Sequence, residues 1–356
     1  MIWLRGALLA LGALAALLTL LPLLPSNEWW VRIWDFPRLQ IAAALLVALL
    51  LSPMLLPLRR LPTMGFIALL VLALGWQAHL IWPYSPFAPV QAAAIDHCEP
   101  ESRLRLLTVN VEVSNRNAAP LLALVRDRAP DLVLLIETDD WWENQLEPLD
   151  AEFAHRVAHI QGEGYGMTLF SQLSLVDPEV RFLLDDYVPS IKTGVELRSG
   201  AEITLFGVHP KPPPLQDTEQ RDAELLVIAR EMRTGVADSL VAGDLNDVGW
   251  SRTTRLFLEV SGAVDPRIGR GPFATFNADW PVFLRWPLDY VFLEPDFLLR
   301  EIALLQHIGS DHLPLMIELC HSGGASIPAR QEAAPTPAEQ QRATEIIREG
   351  REEADD

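Results

Sequence analysis

The sequence is poor in cysteine and in basic side chains, and both shortages narrow what the protein can be. Its two cysteines, Cys98 and Cys320, do not have the C-x-x-C spacing of a structural zinc site. Lysine and arginine number 28 against 47 aspartates and glutamates, which gives a formal net charge of −19. Since an acidic surface repels nucleic acid, nonspecific DNA binding is disfavoured, although a nuclease is not excluded.

Charge is also nearly absent from three apolar runs near the N-terminus, which are Leu4–Leu24, Leu39–Leu58 and Leu61–Trp82. Each has on the order of 20 residues, enough for a helix to cross a hydrocarbon core of roughly 30 Å. No small-x-small cleavage site precedes Ser26, which favours a retained span over a signal peptide. A buried core hairpin is the alternative for the second and third runs, and their length argues against it. We therefore predict three transmembrane helices over residues 1–82.

Basic residues near these runs predict the orientation of the chain. Arg5 and the Arg59-Arg60 turn share one side, against Arg32 and Arg38 on the other. The loop that carries Arg32 and Arg38 is also rich in tryptophan, as is typical of a membrane interface. The positive-inside rule then places the N-terminus in the cytoplasm. We predict a multi-pass protein of a bacterial inner or plasma membrane, with an extracytoplasmic C-terminal domain, the lipid bilayer as partner and no obligate protein partner.

Beyond the apolar runs the chain divides into three parts. Residues 83–102 are rich in proline and alanine and are predicted to be a linker. Residues 103–321 alternate strand-like runs, such as Asp131–Ile136, with helical patterns, such as Thr218–Arg233, which predicts an α/β sandwich. Residues 322–356 lack a core pattern, and we predict disorder there, with one exposed helix capped near Thr336 as the alternative.

The two cysteines bracket this α/β region. Cys98 precedes its first strand and Cys320 ends its last. If those strands lie side by side, a disulfide is geometrically possible and would suit an extracytoplasmic domain. In a cytosolic domain the two would be incidental thiols.

Carboxylate, amide and imidazole side chains collect at the ends of the predicted strands. These residues are Asn110, Glu137, Asp244, Asn246, Asp289, Asp311 and His312. Any one of them alone is better interpreted as a turn or capping residue, because Asp and Asn favour such positions. A much more specific sign of a functional site is the motif Gly-Ser-Asp-His, which stands before Leu-Pro-Leu and downstream of Leu-Asp-Tyr-Val-Phe. Hard oxygen ligands of this kind suit Mg²⁺ or Mn²⁺.

In this order the residues resemble the signature of the endonuclease/exonuclease/phosphatase superfamily. That superfamily includes apurinic endonucleases, pancreatic-type deoxyribonucleases, inositol polyphosphate 5-phosphatases and neutral sphingomyelinases. The resemblance covers Arg103–Cys320 and leaves the apolar runs outside. It implies a four-layer sandwich of two mixed β-sheets flanked by helices, and hydrolysis of phosphoesters with Mg²⁺ or Mn²⁺.

The resemblance also implies a role for each strand-end residue. Glu137 would bind the metal, with Asn110 and Asp311 near it. Asp244 and Asn246 would position and activate the attacking water and steady the phosphate. Whether one or two metal ions take part stays open.

Four further positions complete the implied site. His312, oriented by Asp289, would act either as general base or as a donor that polarises the phosphate. Tyr165 and His209 would contact the phosphate. The alternatives are a core tyrosine and a satisfied loop histidine before Pro210.

Substrate choice rests on what surrounds these motifs. Arginines in residues 251–286 form a local basic patch, and Arg252, Arg255 and Arg285 are candidates to clamp a phosphate; the alternative is a solvated surface loop. No long insert that would grip a DNA duplex is present. We therefore expect a membrane-anchored phosphoesterase acting on a small or lipid-borne phosphodiester. A DNA endonuclease or exonuclease is the alternative, and a catalytically degenerate membrane scaffold is an alternative of another class.

Overall fold

The computed structural model describes residues 2–213, 217–235, 237–323 and 334–355. Its N-terminal part is a bundle of three long helices, α1 (Ile2–Leu20), α3 (Arg38–Leu55) and α4 (Leu61–Ile81), with the short helix α2 (Trp29–Arg32) between the first two. All three are long and apolar enough to cross a membrane. They pack closely, since a Cβ at Gly12 would lie 2.5 Å from Phe66 Cζ. The predicted three-helix region is therefore present.

Two mixed β-sheets form the centre of the second part. The six-stranded sheet has the order β10-β11-β1-β2-β4-β3, and the five-stranded sheet has the order β5-β6-β7-β8-β9. The strands are β1 (Arg103–Asn110), β2 (Leu132–Ile136), β3 (His155–His159), β4 (Met167–Ser171), β5 (Ser174–Phe182), β6 (Pro189–Glu196), β7 (Glu202–Val208), β8 (Ser239–Asp244), β9 (Asp289–Leu293), β10 (Phe297–Leu304) and β11 (Leu315–His321). Strands β1 and β2 pair in parallel, as do β7 and β8, and the other pairs are antiparallel.

Apolar side chains fill the space between the two sheets and cover their outer faces. Leu106 and Leu134 of the first sheet meet Leu205 and Ala242 of the second. Helices α5 (Ala119–Arg128) and α6 (Asp140–Leu146) cover the first sheet. Helices α7 (Glu219–Thr234) and α8 (Arg252–Ser261) cover the second. The predicted four-layer sandwich is confirmed.

The C-terminal tail differs from the prediction. Residues 337–355 form helix α9 (Pro337–Asp355) instead of a disordered segment, so the prediction of disorder is wrong there. Ala343, Ile346 and Ile347 are buried against α7. The two helices approach closely, since a Cβ at Gly350 would lie 2.5 Å from Ala223 Cβ. The polar composition hid a short apolar stripe that needs α7 as its partner. Residues 324–333 of the predicted tail lie outside the described residues.

Residues 83–102, predicted to be a linker, follow the surface of the sandwich. Gly269 N donates to Pro83 O at 2.8 Å, and Leu299 N donates to Ala93 O at 2.8 Å. The Tyr84 hydroxyl lies 3.3 Å from Asp265 Oδ2. The segment is thus attached to the sandwich along its length.

Cys98 and Cys320 form a disulfide, with Cα atoms 5.7 Å apart. The disulfide requires that the first and last strands of the α/β region lie side by side. They do, because β1 and β11 are antiparallel neighbours and Arg103 pairs with Cys320. The bridge closes a loop of 222 residues. In the chain-entropy model such a closure stabilises the fold by up to about 5 kcal/mol.

The loop between α1 and α3, residues 21–37, docks on the sandwich beside α7 and α8. The Arg32 guanidinium is 1% exposed; it donates to Asp222 Oδ2 at 3.0 Å and to Thr253 Oγ1 at 3.2 Å. Trp250 Nε1 donates to Asp35 O at 2.7 Å. These buried contacts make the helix bundle and the sandwich one continuous structure.

Candidate active site

Strand ends from both sheets meet at one edge of the sandwich and surround a cavity of about 540 Å³. Its polar lining is Glu137, Glu163, Tyr165, His209, Asp244, Asn246, Asp311 and His312. Its apolar lining is Ile33, Phe36, Val113, Phe276, Trp280, Trp286 and Leu288, with Pro212 and Pro213. Ile33 and Phe36 come from the α1–α3 loop. The loop that joins two helices of the bundle therefore forms part of the wall of the site, which the sequence did not predict.

His312 and Asp289 form a buried pair at the bottom of the cavity. His312 Nδ1 donates to Asp289 Oδ2 at 2.8 Å, and His312 Nε2 lies 3.5 Å from Asp244 Oδ2. Burial alone would lower the pKa of His312, but the carboxylates of Asp289 and Asp244 raise it to about 10. The predicted bracing of His312 by Asp289 is thus present as a direct hydrogen bond.

The turn after β8 delivers Asp244 and Asn246 together. Gly243 has φ +147° and passes so close to β7 that a Cβ would lie 1.9 Å from Val208 O, which explains glycine in the Gly-Asp-Leu-Asn sequence. Asp244 Oδ1 accepts from Asn246 N at 3.0 Å, and Asn246 Nδ2 donates to Pro210 O at 3.0 Å. The Asn246 amide is therefore held at the cavity wall.

Asn110 connects the two halves of the site. Its Nδ2 donates to Glu137 Oε1 at 2.8 Å and to Asp244 Oδ2 at 3.2 Å. Glu137 has φ +69° and also accepts from Val113 N at 3.0 Å. These bonds fix the Glu137 carboxylate at the end of β2.

Three carboxylates cluster beside Asn110. Burial, together with the nearby charges of Glu112 and Glu137, raises the pKa of Asp311 to about 6, although the charge of His312 acts in the opposite direction. Glu112 Oε2 accepts from Asp311 N at 3.0 Å. Unbalanced negative charge on hard oxygens fits a divalent cation. Sequence reasoning missed Glu112, although it follows Asn110 by two residues and so shares the same strand end.

Among the described residues, one group of side chains has the spacing of metal ligands, and it is a different one. Ligand atoms of Asp244, Asp289 and His312 all lie within 4.8 Å of one another. A cation bound between these three side chains would break the 2.8 Å hydrogen bond from His312 to Asp289. In the described structure the carboxylates of Glu112 and Glu137 accept hydrogen bonds from backbone, amide and hydroxyl groups but not from a histidine. No such pair would therefore be broken at Glu112, Glu137 and Asp311, and we favour them as the metal position.

His209 and Tyr165 both lie at the cavity, as the sequence predicted. His209 Nε2 is 3.8 Å from Asp244 Oδ2, and burial lowers the pKa of its imidazole, so the ring is neutral near neutral pH. The Tyr165 ring centroid is 5.9 Å from that of His209. Burial, with the nearby charge of Asp185, raises the pKa of Tyr165 and keeps its hydroxyl protonated.

The predicted arginine clamp is not formed by the candidate residues. Arg252 binds Leu24 O and Ser26 O of the α1–α3 loop, at 3.3 and 2.7 Å. Arg255 donates to Ser251 O in its own helix, and Arg285 donates to carbonyls of its own loop. None of the three lines the cavity. Their guanidinium groups hold the fold together here.

Comparisons with known proteins agree with this architecture. The model of a family described as "Endonuclease/Exonuclease/phosphatase family" matches residues 107–312, more than half of the chain. No curated protein sequence matches.

Solved structures are similar in fold. Human Nocturnin, solved as its catalytic domain with a bound sulfate anion, is 18% identical with a TM-score of 0.52; the match covers 65% of this chain and 97% of that one. A humanized D. rerio TDP2 is 17% identical with a TM-score of 0.51, covering 61% and 99%. An endonuclease/exonuclease/phosphatase from Beutenbergia cavernae is 19% identical with a TM-score of 0.50, covering 62% and 72%.

Proposed function

The chain belongs to the endonuclease/exonuclease/phosphatase family, and from that premise we propose that it hydrolyses a phosphoester with the help of a divalent metal ion. One observation carries the proposal. The His312–Asp289 pair and the carboxylate cluster around Glu137 face the same cavity, bridged by Asn110 and Asp244. Hydrolysis of a phosphoester needs a placed water, neutralised phosphate oxygens and a proton relay, and these groups match those needs.

Each residue has one task in this proposal. Asp244 and Asn246 place the attacking water at the end of β8. His312 holds or passes a proton at Nε2, and both roles depend on Asp289, which fixes the ring through Nδ1. His209 and Tyr165, which also line the cavity, donate to phosphate oxygens.

The carboxylates of Glu137 and Asp311, with Glu112 beside them, would hold Mg²⁺ or Mn²⁺. Asn110 orients Glu137 through its 2.8 Å hydrogen bond. A divalent cation there supplies neutralising charge to the non-bridging oxygens of a phosphate.

A small or lipid-borne phosphodiester fits the cavity better than nucleic acid does. Among the described lining residues there is no lysine or arginine, and much of the wall is apolar. Binding of a nucleic-acid backbone relies on such basic side chains. A nuclease is the alternative, and a degenerate scaffold remains the alternative of another class.

The test is a substrate panel with the full chain in detergent or lipid discs. The α1–α3 loop must be retained because it covers Asp222 and Trp250, and the 83–102 segment because Tyr84 packs on Trp250. With Mg²⁺ or Mn²⁺ we expect hydrolysis of bis(p-nitrophenyl) phosphate and of a phospholipid, and little cleavage of single-stranded or plasmid DNA. Cleavage of DNA alone would establish the nuclease, and inactivity on every substrate would favour the scaffold.

We predict that Glu137→Gln weakens the response to metal. The concentration of Mg²⁺ or Mn²⁺ for half-maximal activity should rise by at least the roughly 10–100-fold that loss of an outer-shell partner causes, because one anionic direct ligand becomes neutral. Titration of activity against metal concentration measures this. Glu147→Gln, an exposed glutamate outside the cavity lining, is the control and should match the unmodified chain. An unchanged metal titration for Glu137→Gln would remove this residue from the metal site.

The sandwich is proposed to lie outside the cytoplasm. Arg32 and Arg38 lie at the other end of the helix bundle, so a simple count of basic residues sets them against this orientation. Both are buried, in contacts with Asp222, Asp35 and Gln77. Arg5 and the Arg59-Arg60 turn are exposed. That turn lies past the end of α3, whose 18 residues extend about 1.5 Å each away from the sandwich.

We predict that alkaline phosphatase fused after Gln91 is active and that a green fluorescent reporter fused there is dark. The exposed arginines favour retention of their end of the bundle in the cytoplasm, which would export the fusion point. The measurements are the phosphatase activity of one fusion and the fluorescence of the other, in cells that express the two fusions at equal levels. A dark phosphatase with a bright reporter would reverse the orientation and leave the fold unaffected.

A further inference from the structure

An exposed apolar loop lies beside the cavity, where α3 begins. Residues 280–284, here named the apolar loop, carry Val282 and Phe283, each 71% exposed, and Trp280, 43% exposed. Gln40 Nε2, in the first turn of α3, donates to Phe283 O at 2.9 Å. The loop is therefore fixed against the end of a helix that is apolar enough to cross a membrane. Soluble surfaces rarely expose such a patch without a partner.

A narrow cleft of about 230 Å³ separates the apolar loop from the start of α3. This side cleft is lined by Pro37, Gln40, Trp280, Pro281, Leu284 and Trp286. Gln40 is the only polar side chain among them. Trp280 and Trp286 also line the catalytic cavity, so the two spaces share a wall.

Aromatic rings continue from the side cleft to the catalytic histidine. Ring centroids are 5.8 Å apart for Trp280 and Trp286, 6.0 Å for Trp286 and Phe276, and 4.9 Å for Phe276 and His312. Phe36 adds a ring 5.6 Å from Trp286. The wall is thus apolar on the side of the helix bundle and polar at the strand ends. A molecule that matches both halves has a phosphate group joined to hydrocarbon.

We propose that the substrate is a membrane phospholipid that enters from the bilayer past the apolar loop. The first carbons of an acyl chain occupy the side cleft, and the phosphate reaches Tyr165, His209 and His312. The apolar loop contacts the bilayer rather than another protein, because it is bound to the first turn of α3, one of three helices of membrane-spanning length. This inference rests on the proposed phosphoester hydrolysis, narrows its substrate to a membrane phospholipid and adds the route by which that lipid reaches the site.

The first measurement is the depth of the apolar loop in a bilayer. Both native cysteines are paired in the disulfide, so Phe283→Cys offers a single thiol for a nitroxide label. The full chain is placed in vesicles of phosphatidylcholine and phosphatidylglycerol. Leu46→Cys, 45% exposed on α3, is the buried-in-lipid reference, and Gln172→Cys, exposed in the turn after β4, is the aqueous reference. Collision with oxygen and with a water-soluble nickel chelate reports the depth.

We expect the label at Phe283 to collide with oxygen and to be shielded from nickel, as at Leu46. Nickel access equal to that at Gln172 would show that the loop lies in water, and the entry route would be wrong. This result does not depend on catalysis.

The second measurement compares two substrates for the double variant Val282→Ser/Phe283→Ser, whose residues lie outside both cavity linings. Hydrolysis of phosphatidylglycerol in vesicles should fall about tenfold or more, because the loop loses its apolar contact with the bilayer. Hydrolysis of bis(p-nitrophenyl) phosphate should be unchanged. Phe182→Ser, an exposed phenylalanine on β5, should affect neither reaction.

The outcomes separate this inference from the proposed function. Lipid entry would be refuted if the double variant hydrolysed each substrate as fast as the unmodified chain does. It would also be refuted if the double variant lost the same fraction of its activity on both substrates. Hydrolysis of the aryl phosphodiester without any phospholipid hydrolysis would refute the substrate class alone. Failure on every phosphoester would refute the proposed function and, with it, the lipid substrate.

Discussion

Replacing His312 with alanine is expected to lower kcat by a factor of about 10² to 10⁴, the usual loss when one proton-transfer or charge-stabilising group is removed. The ring is 4% exposed, faces the cavity through Nε2, and is fixed through Nδ1 by Asp289. The metal concentration for half-maximal activity should be unchanged, because the proposed metal position is at Glu137 and Asp311 rather than at His312. The measurement is kcat against metal concentration with a soluble phosphodiester.

Asp289→Asn is expected to lower kcat through the same step. If Asp289 acts only by bracing His312, the double variant should be little worse than His312→Ala alone. Full additivity would instead show that Asp289 has a separate role, such as binding metal within the cluster it forms with Asp244 and His312.

His321 offers a matched control for this series. It is also a buried histidine, and its Nε2 pairs with Asp238 Oδ2 at 2.7 Å, outside the cavity lining. His321→Ala should therefore keep kcat near normal while disturbing a similar histidine–carboxylate pair. Near-normal turnover for folded His312→Ala would show that the catalytic centre has been misassigned.

Arg32→Ala is expected to destabilise the whole chain by about 3 kcal/mol, the lower end of the range for breaking a buried ion pair. Asp222 keeps Arg221 and Thr253 as partners, at 2.7 Å each, which limits the loss. With about 2–4 °C per kcal/mol for a domain of this size, the melting temperature should fall by roughly 6–12 °C. Thermal unfolding of the full chain in detergent measures the shift.

Activity should fall with stability in this variant, even below the melting temperature. Arg221 links Asp222 to the site, since its Nη1 donates to Asn246 O at 2.8 Å. Arg126→Ala removes a half-exposed arginine paired with Glu152, and should cost only about 0–1 kcal/mol. Equal melting temperatures for Arg32→Ala and Arg126→Ala would show that the docked loop does not stabilise the sandwich.

The parts of the fold that follow from local pattern could be predicted from the sequence. Almost wholly apolar runs such as Leu132–Ile136 indicate strands covered on both faces, and β2 is buried throughout. Asn110, Glu137 and Asp244 each directly follow or end such a run, so their meeting at one edge follows from the sheets. The disulfide needed one further fact, the adjacency of β1 and β11.

Features that depend on partners distant in sequence could not be predicted. Arg252 looks like a phosphate ligand in isolation, but carbonyls of the α1–α3 loop bind it, and nothing near position 252 indicates this. Ile346 and Ile347 form too short a stripe to predict a buried helix until α7 is known to cover them. Phe36 belongs to a loop between candidate spans, and its place in the cavity wall follows only from docking.

The pairing of β1 with β11 sets the order in which the chain can mature. Strand β1 is central in its sheet, yet one of its two neighbours, β11, is the last strand to be synthesised. The bridging cysteines are likewise 222 residues apart. Contacts of such long sequence separation close slowly. A nascent chain released before residue 321 would present the unpaired edge of β1, with Leu104, Leu106 and Thr108, as a template for aggregation. Completion of the six-stranded sheet therefore requires synthesis of the chain through β11, and the Cys98–Cys320 disulfide can form only after that point.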